Sequence, residues 1–142
     1  MKQELGDEIM GWDASFASRA DSGDLSVGII GLGYVGLPTA IGFRDAGFDV
    51  WGVDLSERII NALHEGQNPL GDPDLDDMIP APGSERWHIT RNTAEATAAC
   101  DVLIVTVPTP VSVDLKPDLS FVESAGRAVF EASGKGNRKV VI

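Results

Sequence analysis

Short apolar runs alternate along the chain with stretches of helical length. The first two runs lie at 25–30 and 48–53, and the segment 34–46 between them ends before Gly47, a typical residue after a helix. Continuous apolar runs of this length are typical of parallel strands that helices bury on both faces. The pattern therefore predicts an α/β fold built on a parallel sheet.

The same alternation continues to the end of the chain. A second helix begins at Ser56, a favourable N-cap residue, and ends at Gly66. Another follows Ser120, which has the spacing of a capping box with Glu123. The remaining elements are strands at 87–90, 102–107 and 139–142 and a helix at 93–99. Together they predict a Rossmann doubly wound parallel sheet, truncated after its fifth main strand.

The pattern divides the chain into an acidic N-terminal extension, residues 1–24, and a domain, residues 25–142. Four apolar residues at nearly helical spacing mark the extension: Leu5, Ile9, Trp12 and Phe16. They either pack on the domain or a partner, or belong to a loosely ordered leader. The final strand stops at Ile142 with its outer edge unpaired. Because a domain rarely ends within its own buried strand, we expect a fragment of a longer protein, with either self-association through that edge or fraying of the last residues.

A stretch rich in proline and aspartate, residues 67–86, interrupts the alternation. We expect it to be mostly loop, with one helical turn at 75–79. Its aspartates lack the spaced glycine and the final glutamate of a calcium loop. The stretch is therefore predicted to be a solvated acidic loop, and no metal site is expected.

Composition narrows the classes of function. The chain has 142 residues, 43% of them hydrophobic, which suits one domain with a sizeable core. Its net charge of −11 argues against nucleic acid or an anionic membrane as a partner, and local backbone dipoles must hold any bound anion. The single cysteine, Cys100, excludes an internal disulfide. With no secretory signal and no apolar run of membrane length, the expected location is the cytoplasm.

A glycine-rich turn joins the first strand to the first helix with the spacing G-x-G-x-x-G. Gly31 permits the tight turn, Gly33 lets a pyrophosphate approach the backbone, and Gly36 lets the helix pack closely on the strand. The start of the helix supplies unpaired N–H groups and a positive dipole end. The turn therefore predicts a dinucleotide site; the alternative is a Rossmann-like domain that keeps the turn for packing alone.

The acid that ends the second strand indicates which dinucleotide binds. Asp54 follows the glycine turn at the position where a carboxylate accepts hydrogen bonds from the adenine ribose hydroxyls. Its charge repels the 2′-phosphate of NADP, which favours NAD. Arg58, one helical turn later, weakens this preference slightly.

A second candidate contact follows the apolar run at 102–107. The carboxyl ends of parallel strands form the ligand crevice of an open sheet, and Val107, Pro108 and Thr109 lie at that end. The Thr109 hydroxyl is placed to meet the nicotinamide-side ribose or a phosphate. The alternative is a rigid loop without a ligand contact.

No catalytic residue is predicted. His64 and His88 have no Ser, Cys or carboxylate arrangement that the sequence places beside them. Cys100 has no basic neighbour that would lower its pKa, so we expect it in the core rather than as a nucleophile.

Three segments carry a resemblance to a known family: GLGYVGLP at 31–38, VPTP at 107–110 and KPDLS at 116–120, with GQNP at 66–69 as further support. Over residues 25–142 the chain resembles the UDP-sugar 6-dehydrogenases of the UDP-glucose/GDP-mannose dehydrogenase superfamily. The KPDL segment is similar to members that act on nucleotides of N-acetylated hexosamines, such as UDP-N-acetylmannosamine.

The resemblance implies an oxidoreductase that converts the sugar C6 alcohol to a carboxylate in two NAD-dependent steps, for polysaccharide biosynthesis. It implies these cofactor contacts: Gly31, Gly33, Tyr34, Val35, Gly36, Asp54, Val107, Pro108 and Thr109. The family's catalytic cysteine, lysine, asparagine and aspartate lie in motifs after the fifth strand. The chain is therefore expected to bind NAD but to be inactive alone, and the nucleotide-sugar substrate needs further domains.

Two positions depart from the family pattern. The loop after the second helix has GDP at 71–73 where many members have Glu-Pro, and Arg58 is one position from the basic residue of some members. Two other functions remain open on the sequence: a non-catalytic NAD-sensing module, and a domain of a β-hydroxyacid-type dehydrogenase.

Overall fold

The computed structural model describes residues 14–134 and 139–142. In this part of the chain five parallel strands form one sheet in the order β3-β2-β1-β4-β5. The strands are β1 (Ser26–Ile30), β2 (Asp49–Val53), β3 (Trp87–Thr90), β4 (Val102–Val105) and β5 (Val140–Val141). The helices are α1 (Ala14–Asp21), α2 (Gly36–Asp45), α3 (Glu57–His64), α4 (Thr93–Ala99) and α5 (Ser120–Ser133), and a 3₁₀ helix spans Pro73–Leu75. The predicted Rossmann sheet is confirmed.

The central strand β1 organises the sheet. It pairs with β2 in the register Ser26↔Asp49 and with β4 in the register Val27↔Val102. Nearly all of β1 is buried because helices cover both faces of the sheet, as its continuous apolar sequence requires. Its carboxyl end, at Ile30, therefore lies beside the ends of β2 and β4.

Two apolar clusters cover the two faces of the sheet. On one face the side chains of α2 and α3, including Leu37, Ile41 and Leu63, pack on β1 and β2. On the other face Cys100 and Val129 pack with the remaining side chains of the strands, and α4 contacts α5. Burial of these side chains stabilises the fold by roughly 1.5–3 kcal/mol for each large aliphatic residue.

The capping box predicted at Ser120 is wrong. Ser120 is the first residue of α5 rather than its N-cap, and no side chain caps this helix from the preceding position, Leu119. The Asp118 carboxylate accepts a hydrogen bond from the Ser120 N–H at 2.9 Å. Bonds from the Ser120 side chain and backbone hold the pKa of Asp118 below its ordinary value. The Asp118 carboxylate thus takes the Ser120 N–H that the Glu123 side chain would accept from in a capping box, and the Glu123 N–H donates to the Leu119 carbonyl instead.

Two predicted boundaries also shift. The strand predicted at 102–107 ends at Val105, because the chain leaves the sheet before Pro108, which has no N–H for the ladder. The helical turn predicted at 75–79 begins earlier, as the 3₁₀ helix. Asp72 caps that helix by accepting a hydrogen bond from Asp74 N–H, and Pro73 follows as its first residue.

The described part of the N-terminal extension packs on the domain. Arg19 of α1 forms a two-pronged ion pair with Asp101, with N···O distances of 3.1 and 2.9 Å. Asp101 precedes β4 and also accepts a hydrogen bond from the backbone N–H of Ser26 in β1. Phe16 is half-buried in α1, whereas Leu5, Ile9 and Trp12 lie outside the described residues. None of the helices that the structure describes is long and apolar enough to cross a bilayer.

Candidate functional site

A cavity of about 700 Å³ opens at the carboxyl ends of β1, β2 and β4. Eight of the nine residues predicted as cofactor contacts line this cavity: Gly31, Gly33, Tyr34, Val35, Asp54, Val107, Pro108 and Thr109. The structure thus brings together residues that three separate segments of the sequence contribute. Gly36, the remaining predicted contact, lies beneath the turn and does not line the cavity.

The glycines of the turn have different surroundings. Gly31 has a φ of +101°, and a Cβ there would lie 2.8 Å from the Thr106 carbonyl oxygen. Both the backbone conformation and the lack of space for a side chain therefore require glycine at this position. A Cβ on Gly36 would lie 1.7 Å from the Gly31 carbonyl oxygen, which confirms that this glycine permits close packing of α2. A Cβ on Gly33 would have no atom within 4 Å apart from those of Gly33 and its two chain neighbours, so this position faces open space at the cavity.

The start of α2 presents free hydrogen-bond donors beside Gly33. The first bonds of this helix run from Leu37 N–H to the Gly33 carbonyl and from Thr39 N–H to the Val35 carbonyl. Within the described residues, the N–H groups of Gly33, Tyr34 and Val35 have no protein acceptor. Such donors at the start of a helix make a binding site for an anion such as a pyrophosphate.

Asp54 connects the glycine turn to α3. One carboxylate oxygen accepts a hydrogen bond from Leu32 N–H and the other from Ser56 N–H, both at 2.8 Å. Each oxygen keeps a further lone pair for a ligand hydroxyl. Arg58 donates to the Pro69 carbonyl at 2.7 Å, so its guanidinium is engaged by the loop after α3. Of the lining side chains in the described part of the chain, that of Asp54 alone is charged.

Several lining residues were not predicted as contacts. Leu55 and Ile59 follow Asp54, Thr93 begins α4, and Thr106 follows β4. One face of α5 also lines the cavity through Phe121, Ser124, Ala125 and Ala128. The small residues of this face, Ser124, Ala125 and Ala128, were the signal in the sequence that could have indicated a cavity wall. Val129 on the adjacent face is the buried residue of this helix.

The two histidines and the cysteine lie away from the cavity. The His64 ring bonds the Ile89 carbonyl, and the His88 ring bonds Asp49 and stacks on Trp51. Cys100 is 1% exposed, and burial raises the pKa of its thiol to about 12. The prediction that Cys100 belongs to the core is therefore confirmed.

The residues present fit a dinucleotide. Gly33 leaves open space, three adjacent N–H groups face no protein acceptor, and a carboxylate lies at the end of β2. Apolar walls from Val35, Leu55 and Phe121 suit flat rings. In the part of the chain that the structure describes, no three His, Cys, Asp or Glu side chains lie together as a possible metal-binding group.

Comparison with known proteins agrees with this geometry. Residues 25–142 match the model of the UDP-glucose/GDP-mannose dehydrogenase family, NAD binding domain. NDP-N-acetyl-D-galactosaminuronic acid dehydrogenase of Ralstonia nicotianae is 34% identical over 82% of this chain, and UDP-N-acetyl-D-mannosamine dehydrogenase of Escherichia coli is 33% identical over 78%. The chain spans 27% and 26% of the lengths of these relatives. A GDP-mannose dehydrogenase structure from Pseudomonas aeruginosa superposes with a TM-score of 0.76 at 30% identity, covering 81% of this chain and 27% of that one.

Proposed function

This chain belongs to the UDP-glucose/GDP-mannose dehydrogenase family as an NAD-binding domain, and we propose that NAD binds in the cavity at the carboxyl ends of β1, β2 and β4. The observation that carries the proposal is the set of unpaired N–H groups of Gly33, Tyr34 and Val35 beside open space. These donors suit the cofactor pyrophosphate in a molecule whose net charge is −11.

The proposed contacts divide by the part of NAD that they meet. Gly33, Tyr34 and Val35 hold the pyrophosphate, and Gly31 and Gly36 shape the turn beneath it. The Asp54 carboxylate accepts hydrogen bonds from the adenine ribose hydroxyls. Residues from the loop after β4 face the nicotinamide side: Val107, Pro108 and Thr109.

For the whole protein we propose an NAD-dependent dehydrogenase that oxidises the C6 alcohol of a nucleotide sugar to a uronate in the cytoplasm. Two relatives named above act on nucleotides of N-acetylated amino sugars, and the KPDL segment at 116–119 favours the same substrate class. The supplied uronate would enter polysaccharide biosynthesis. Membership of the family argues against the β-hydroxyacid-type alternative.

We further propose that this chain alone does not catalyse the oxidation. Hydride transfer needs NAD, which supplies the acceptor, and a substrate held against it. The cavity lining that the structure describes contains no cysteine, histidine or lysine, and the thiol of Cys100 is buried in the core. Substrate binding and the nucleophile therefore belong to parts of the protein beyond this domain.

The preference for NAD tests the proposed role of Asp54. We expect wild type to bind NADH at least tenfold more tightly than NADPH, because the carboxylate repels the 2′-phosphate. Asp54→Asn should weaken NADH binding by about tenfold, since a charged hydrogen bond is lost, and should reduce the discrimination against NADPH. Calorimetric titration with both nucleotides measures both effects.

Asp74→Asn is the matched control, because it removes the same charge from an exposed position outside the cavity. Its affinities should equal those of wild type. A wild-type preference for NADPH, or unchanged NADH affinity in Asp54→Asn, would contradict the role given to Asp54.

A further inference from the structure

The hydroxyl of Thr106 bonds the backbone of the glycine turn, and we propose that Thr106 is a positioning residue that holds the turn in its pyrophosphate-binding conformation. Thr106 Oγ1 lies 2.8 Å from the Gly31 carbonyl oxygen and 3.3 Å from the Ile30 carbonyl oxygen. A hydroxyl has one proton to donate, so the shorter bond, to Gly31, dominates. The inference rests on the proposed function, since it concerns the same site.

The peptide unit between Gly31 and Leu32 is held at both ends. Its carbonyl accepts from Thr106, which follows β4, and its N–H donates to Asp54, which follows β2. The preceding N–H, that of Gly31, donates to the Val53 carbonyl at 2.7 Å. The two strands that flank β1 thus fix the orientation of this peptide plane from opposite sides.

The orientation of this peptide determines what the cavity presents to an anion. With the carbonyl held by Thr106, the oxygen lies under the first turn of α2, where a Cβ on Gly36 would reach within 1.7 Å of it. A rotation of the plane would turn a partially negative oxygen towards the pyrophosphate and would move the N–H groups that follow. The cavity lining in the described residues has no basic side chain that would compensate for such a loss.

Three substitutions of Thr106 distinguish a positioning role of its hydroxyl from a general effect on the stability of the domain. Thr106→Ala removes the hydroxyl, Thr106→Ser retains it, and Thr106→Val keeps the branched shape without the hydroxyl. Ser133→Ala is the matched control, because Ser133 Oγ also donates to a backbone carbonyl, that of Val129, at 2.7 Å but far along α5.

The experiment uses two ligands that differ in the pyrophosphate. Binding of ADP-ribose and of adenosine to the 142-residue chain is measured by calorimetry or NMR titration, at a temperature where circular dichroism shows each variant folded. We expect Thr106→Ala and Thr106→Val to weaken ADP-ribose binding by about 3- to 10-fold, the loss of one hydrogen bond, and adenosine binding by less than about 2-fold. Thr106→Ser and Ser133→Ala should match wild type for both ligands.

The outcomes separate this inference from the proposed function. If wild type binds ADP-ribose and both Thr106→Ala and Thr106→Val bind it equally well, Thr106 has no positioning role. If adenosine binding weakens as much as ADP-ribose binding, or if Thr106→Ser shows the same loss, the effect is general loosening and the inference also fails. Failure of wild type to bind ADP-ribose or NADH would overturn the proposed function, and this inference with it.

Discussion

At the scale of single residues, the glycine turn depends on contacts that come from two other strands. Gly31 and Gly36 make room for backbone atoms, whereas a Cβ on Gly33 would face open space at the cavity. The motif G-x-G-x-x-G predicted these roles from spacing alone. It did not predict Thr106, because a hydroxyl that bonds the turn from another strand has no fixed distance from the motif in the sequence.

The buried thiol of Cys100 provides a test of the core. Its pKa is raised from 9.0 to about 12 because burial disfavours the thiolate, so the folded state binds the proton more tightly than the unfolded state. The stabilisation is complete below pH 9 and is lost as pH rises towards 12. Between these values, titration of this thiol should lower the free energy of unfolding by roughly 1 kcal/mol per pH unit.

Urea unfolding of wild type and Cys100→Ala at a series of pH values isolates this contribution, because the other groups titrate in both proteins. We expect the difference between the two proteins to shrink above pH 9. Labelling of the Cys100 thiol with a chromogenic disulfide reagent at pH 8 should be fast only when urea has unfolded the chain. Rapid labelling of the folded chain would show that Cys100 is accessible, against the structure.

At the scale of elements, the apolar pattern determined what could be predicted. The buried strands followed from it, because a parallel sheet needs continuous apolar runs and crossover helices. The predicted start of α5 was wrong because Asp118 and Ser120 both carry polar groups that can bond the first turn of a helix. Spacing in the sequence cannot decide which of the two accepts the hydrogen bond. The cavity-lining face of α5 was missed because small apolar residues suit a core as well as a cavity wall.

Helix α1 should contribute to the stability of the domain through Arg19. Its ion pair with Asp101 is bidentate and partly buried, with side chains 43% and 29% exposed. A double-mutant cycle of Arg19→Gln and Asp101→Asn, measured by urea unfolding, should give a coupling energy of about 0.5–1 kcal/mol after allowance for solvent screening.

The pair of Arg44 with its sequence neighbour Asp45 is the control, because it makes a single contact of 3.2 Å within one helix and connects no two elements. Arg44→Gln should change the free energy of unfolding by less than about 0.5 kcal/mol. A coupling energy of zero between Arg19 and Asp101 would show that α1 does not stabilise the domain through this contact.

The boundary between an extension, 1–24, and a domain, 25–142, remains a prediction.

At the scale of the whole molecule, charge and an open sheet edge act against each other. No strand in the described residues pairs with the outer edge of β5, and Val141 and Ile142 are 53% and 70% exposed. We expect this chain to self-associate through that edge at high concentration. The net charge of −11 opposes association, so raising the salt concentration should favour it.

Sedimentation at several protein and salt concentrations measures this association. Val141→Lys should abolish it by placing a charge on the edge, whereas Val113→Lys, at a fully exposed position in the loop before α5, should leave it unchanged. A chain that stays monomeric under all these conditions would refute association through β5.

The most direct test of NAD binding in the cavity is calorimetric titration of NADH into wild type, Gly33→Val and Gly42→Val. Neither glycine has a positive φ, and a side chain at either position would meet no atom from a distant part of the described chain within 4 Å of its Cβ, so both variants should fold and show the helical circular dichroism of wild type. Gly42 lies on α2 outside the cavity. We predict wild-type affinity in Gly42→Val and no measurable binding in Gly33→Val, because a side chain at Gly33 would occupy the proposed pyrophosphate position. Retention of NADH binding by a folded Gly33→Val would contradict the account.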